Sequence, residues 1–141
     1  MSVDCSSYMS LIWNKANPNL PYYQENGNGC WTTFHMVDTK SGWQNHNFER
    51  INFYEYNSNN PDYDKINTLE DNLIRGDIVV YHYFGDTTDE KLGHTFMYLG
   101  AEQPGENDKI EAKGTIEGVL MTPFGTITAK TYQIVIFRYK N

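Results

Sequence analysis

The sequence predicts an α+β domain, with N-terminal helices packed on an antiparallel β-sheet. Three observations predict it. Helical periodicity follows a capping residue at Asp4, five strand-like runs follow Gly76, and turn dipeptides separate those runs. Helices early and strands late favour an α+β arrangement over alternating βαβ units.

The first helix is expected from Asp4 to about Ala16. Asp4 is a good N-cap, and Cys5, Tyr8, Met9, Ile12 and Ala16 fall on one face at helical spacing. NPNLP, from Asn17 to Pro21, ends it, because proline lacks the N–H that continuation needs. ENGNG (Glu25 to Gly29) reads as a turn or loop. A second short helix is expected from Cys30 to about Asp38, with Phe34 and Val37 facing inward. Residues 39–67 read as a long excursion holding one strand, RINFYEY (Arg50 to Tyr56). Two readings of that excursion stay open: a surface loop, or a cleft wall carrying Trp43, Tyr54 and Tyr56. Beyond Gly76 come DIVVYHYF, HTFMYLG, KIEAKG, EGVLMTPF and TYQIVIFRYK, with turns at Gly85–Asp86 and Pro104–Gly105.

With 141 residues the chain is expected to form one domain, burying about two-thirds of its unfolded surface. Eleven Tyr, seven Phe and three Trp supply a packed core. The net charge of −7 opposes binding to nucleic acid and to anionic membranes. No apolar run resembles a signal h-region or is long enough to span a bilayer, so a soluble chain is expected.

Cysteine and histidine carry the chemistry. Two cysteines, Cys5 and Cys30, permit at most one internal disulfide, far from the density of a stapled secreted scaffold. Cys5 falls in the first turn of the first helix, where the helix dipole favours a thiolate. Four histidines are present: His35, His46, His82 and His94. His35 and His46 are eleven residues apart, and no HExxH or CxxC occurs, so neither a metal nor another cofactor is expected. His94 opens the run HTFMYLG. There it stands at the rim of a central strand, within reach of a helix N-terminus. KIEAKG places Glu111 one strand further on. If the two strands pair side by side, Glu111 can accept the second imidazole N–H and fix the tautomer. The bland readings are a satisfied rim histidine and a solvent-facing carboxylate.

DCSSYMSLIW resembles the nucleophile motif of NlpC-type cysteine peptidases, which are papain-like peptidoglycan hydrolases. RGDIVVYHY followed by GHTFMYLG resembles the second block of that family, and VIFRYK its closing strand. The likeness is nearest to the phage-encoded branch of endolysin amidases and tail-associated endopeptidases. It runs from Asp4 to Tyr139, with a poorly matched stretch from about Trp43 to Ile66. The resemblance implies Cys5 as nucleophile, His94 as general base and Glu111 in the place of the third polar residue, often histidine, asparagine or glutamine in the family. It puts Asp4 and Ser6 beside the nucleophile in contact with substrate, and Trp31 and Thr32 along the cleft. Cys30, in NGNGCWTTF, lacks the Asp-Cys-Ser-Ser setting. Only four residues precede Cys5, so either the chain belongs to something longer or a later loop completes the cleft.

The implied activity is that of a thiol protease or amidase degrading the bacterial cell wall. It would cut amide bonds of the peptidoglycan stem through a thioester on Cys5. A larger phage assembly is one implied partner. Two alternatives stay open: a secreted antibacterial effector with the same chemistry, neutralised by an immunity protein, or a silent binding module of the same fold.

Overall fold

FERINFYE carries four apolar or aromatic residues among polar ones, and Phe48, Phe53 and Tyr54 are its buried positions. This run is β1 (Phe48–Glu55), longer at its start than RINFYEY suggests. A bulge between Asn52 and Tyr54 shifts its register. The bulge lets Phe53 and Tyr54 be buried in succession, which strict alternation forbids. In the computed structural model, residues 47–55, 62–82, 93–100, 109–112, 119–122 and 133–140 are described, with Ile12, Lys15 and Gln44. Ile12 and Lys15 are helical, in line with the first expected helix. The expected helix from Cys30 to Asp38 lies outside the described residues.

The excursion after β1 contains more structure than its composition suggests. Helix α1 (Tyr63–Asn67) starts at Asp62, whose carboxylate accepts from the Lys65 N–H at 2.9 Å. The Thr68 hydroxyl closes the helix by donating to the Lys65 carbonyl at 2.7 Å. A 3-10 turn follows at Glu70–Asn72. This segment buries Ile66, Leu69 and Leu73.

All five runs after Gly76 form strands. They are β2 (Ile78–His82), β3 (Gly93–Tyr98), β4 (Lys109–Ala112), β5 (Val119–Thr122) and β6 (Gln133–Tyr139). With β1 they make a six-stranded sheet in the order β1-β6-β2-β3-β4-β5, every pair antiparallel. The α+β class expected from the sequence is the class observed: an antiparallel sheet with short helices.

The sheet is buried on both faces at its centre. On one face Val79, Phe96, Tyr98, Ile134 and Ile136 pack with Phe53, Tyr54 and the Ile66–Leu69–Leu73 set. On the other, Ile78, Val80, Thr95, Val135 and Phe137 are equally inaccessible. Two-sided burial accounts for the unbroken apolar run IVIF in β6, since alternation is needed only where one face meets water.

The turn before β2 anchors one end of the sheet. Asp77 N–H donates to the Ile74 carbonyl at 3.1 Å, and Gly76 within that turn has φ +94°. A Cβ there would meet no atom within 4 Å, so conformation rather than space requires glycine. Gly76 N–H donates to the Tyr98 carbonyl and Tyr98 N–H to the Asp77 carbonyl, at 2.8 and 2.9 Å. The Asp77 side chain is 1% exposed. It accepts from the Ile74 N–H and from both Nε and Nη2 of Arg138 in β6, at 2.9, 3.0 and 2.7 Å. Arg138 Nη2 also donates to the Asn72 carbonyl at 3.0 Å, so one guanidinium ties β6 to the GD turn and to the 3-10 segment. Hydrogen bonding to Asp77 holds the Arg138 pKa above its ordinary value; burial opposes this, and Coulomb attraction from Asp77 and Glu49 assists it.

Candidate functional site

The end of the sheet opposite this anchor carries His94. It is the second residue of β3, an inner strand between β2 and β4. That is the rim of a central strand, as the sequence implies. Its cross-strand partner is Tyr81. Their rings lie 5.5 Å apart, tilted by 59°. Phe96, two residues along β3, places its ring 6.3 Å from the imidazole at 40°. Tyr81 and Phe96 are themselves 6.3 Å apart at 64°, so the three rings close a triangle. Such separations fall in the range where tilted and edge-on aromatic pairs attract.

The residue after His94 fixes the register locally. Thr95 is fully buried, and its hydroxyl donates to the Val79 carbonyl at 2.8 Å. A buried hydroxyl left unpaired would be costly, so a slip of β3 against β2 is penalised at this position. Further along the same face, Lys109 sets its ammonium 4.9 Å from the Phe96 ring centroid, a cation–π contact. The positive end of that lysine and the imidazole thus flank the same ring.

Glu111 stands in β4, the strand next to β3, and its backbone pairs with Leu120 of β5. The β3–β4 ladder matches Met97 with Ile110 and Tyr98 with Lys109. Continued by one pair, that ladder sets the Glu111 position level with Phe96, two residues along β3 from His94. The strands are neighbours, as the side-by-side arrangement requires, and the offset is diagonal rather than direct. Diagonal neighbours lie about 7–8 Å apart, within reach of long side chains.

The other sequence-derived site residues, Asp4, Cys5, Ser6, Trp31 and Thr32, lie outside the described residues, as does Cys30. Of the aromatics considered for a cleft wall, Trp43 and Tyr56 lie outside as well. Tyr54 belongs to the core instead, packed with Phe53 and Ile134. The bulge in β1 turns it inward. Among the described residues no group of three or more His, Cys, Asp or Glu side chains could hold a metal ion. No helix of the described residues is long and apolar enough to cross a membrane.

Reasoning from sequence missed Tyr81 and Phe96 as neighbours of His94. The signal was available only in part: YHYF and GHTF are both aromatic-rich, but ten residues separate β2 from β3. A connection that long leaves the register free, so no pairing can be read from the letters.

No protein-family model, curated protein or solved structure matches this chain.

Proposed function

We propose that the protein is a papain-like, NlpC-type cysteine hydrolase that cuts amide bonds in the peptide stem of bacterial peptidoglycan. The observation that carries this reading is His94. The GH strand that follows the GD-turn strand in sequence is its direct neighbour in the sheet, and His94 sits at the rim of that inner strand. The ordered sequence motifs DCSS, RGDI, GHTF and VIFRYK support the same reading.

In this mechanism the Cys5 thiolate adds to the carbonyl carbon of the scissile amide. The helix that the sequence leads one to expect from Asp4 would supply a positive dipole end that favours the thiolate, and the Cys5 backbone N–H is the proposed donor to the oxyanion. The tetrahedral adduct collapses to a thioester as the leaving amine takes a proton from the His94 imidazolium. His94 then removes a proton from water, which attacks the thioester and releases the carboxylate and the thiolate. Glu111 is the proposed acceptor for the second imidazole N–H. Asp4, Ser6, Trp31 and Thr32 are the proposed substrate contacts. A phage lysis or tail assembly is the setting that suits a wall hydrolase of this kind.

The decisive experiment is mass spectrometry of purified muropeptides incubated with the protein. Wild type should release peptides bearing a new amine and a new carboxylate, while Cys5→Ala and His94→Ala should lose at least about 10²-fold in rate. Iodoacetamide at mildly acidic pH should label Cys5 faster than Cys30, because only a paired thiol keeps a thiolate there. Unchanged muropeptides with retained wall binding would convert the reading to a binding module. Full activity in Cys5→Ala with loss in Cys30→Ala would move the nucleophile.

A further inference from the structure

We propose that Tyr81 is a positioning residue for His94, holding the imidazole through its ring rather than through a hydrogen bond. This rests on the reading of His94 as general base and adds a residue to it. A histidine near the end of a strand has two side-chain torsions, and packing neighbours must fix both. General-base catalysis requires the proton-accepting nitrogen within hydrogen-bond distance of its partner, so rotamer freedom lowers the productive fraction.

Three features make Tyr81 the fixing group. It is the direct cross-strand partner of His94, within the range of cross-strand side-chain contact. Its ring lies nearer to the imidazole than the Phe96 ring does, 5.5 Å against 6.3 Å. It is also held from behind, because it packs against the core cluster that contains Val79, Phe96 and Ile134. A mobile aromatic could not fix its neighbour; one packed on the core can. Thr95 then locks β3 to β2 one residue away through its bond to the Val79 carbonyl, so the pairing itself does not slip.

The test compares Tyr81→Phe, Tyr81→Leu and Tyr81→Met in the full chain, using a synthetic stem peptide and ¹H–¹³C NMR of the His94 ring. His94→Gln assigns the resonances. Tyr81→Leu and Tyr81→Met should lower kcat about three- to tenfold with KM unchanged, the range an aromatic pair is worth. Their His94 ring signals should lose the ring-current shift. Tyr81→Phe keeps the ring and should rescue both readouts. Methionine is unbranched and fills irregular gaps, so it serves if the leucine variant fails to fold. Wild-type kcat in both aliphatic variants, or an unmoved His94 resonance, overturns the proposal. Equal loss in Tyr81→Phe overturns it too, by assigning the effect to the hydroxyl. A wild type without hydrolysis, indistinguishable from His94→Ala, instead overturns the reading of His94 as the base, and this proposal with it.

Discussion

Tyr54 brings a hydroxyl into the core, and that oxygen finds no hydrogen-bond partner among the described residues. The side chain is 6% exposed and surrounded by apolar groups. A buried polar atom without a partner forfeits the hydrogen bonds it made to water, at about 1–3 kcal/mol. Tyr54→Phe keeps the ring and removes that penalty, so it should raise stability by about 1 kcal/mol, measured as the midpoint of urea unfolding. A loss of stability would show that the hydroxyl is satisfied in solution. Tyr54 shares a cross-strand row with Ile134, Tyr81 and His94. It lies about 14 Å from His94 by three strand spacings, so the substitution should leave the histidine undisturbed. At this scale His94 was legible, because a histidine after glycine at the head of an alternating run can occupy only a strand rim. The inward turn of Tyr54 was not. It depends on a bulge between Asn52 and Tyr54, and nothing in RINFYEY announces an extra residue in the ladder.

Among the elements, the strands were legible and α1 was not. Each strand carries an apolar run bounded by turn residues. α1 has five residues, too few to show a 3.6-residue period, and it sits in a stretch rich in Asn and Asp that reads as loop. Only its cap, Asp62, was a usable signal. The turn before β2 carries the turn dipeptide Gly76–Asp77, yet its link to β6 was hidden, since Arg138 lies 61 residues from Asp77. That link predicts a coupled response. Arg138→Met leaves the Asp77 carboxylate buried and uncompensated and should destabilise by about 3–5 kcal/mol. Asp77→Asn should lose less, because Arg138 is partly exposed and keeps its bond to the Asn72 carbonyl. The double variant should lose clearly less than the sum, because neither partner is then stranded. Additive losses in urea unfolding would show that the two residues act independently. Because the Arg138 pKa is raised, its titration contributes full stability at every pH below the ordinary arginine value and is lost only as pH rises through the folded value. Titration of Arg138 therefore adds no pH dependence across the neutral range.

The order of the sheet was the least legible feature of the whole molecule. Strands β2 to β5 follow one another as neighbours, which sequence adjacency favours. β6 instead returns to the other side of β2 and receives β1 beyond it, so Phe48 pairs with Tyr139. Such distant pairing depends on complementary burial across the whole chain, which no local window contains. It also predicts an uneven distribution of stability. β6 is paired on both sides, and Ile134, Val135, Ile136 and Phe137 are all fully buried. β5 is four residues long and pairs only with β4 among the described strands, with Met121 exposed. Opening β5 breaks a single ladder, the one with β4, whereas opening β6 breaks two, dismantles both faces of the core and detaches β1. Amide hydrogen exchange followed by NMR should therefore show β6 and β2 exchanging only through global unfolding, with β5 opening at a free energy well below that limit. Protection in β5 equal to that in β6 would mean that the sheet opens as one cooperative unit, and that its far edge is held by contacts as strong as those at its centre.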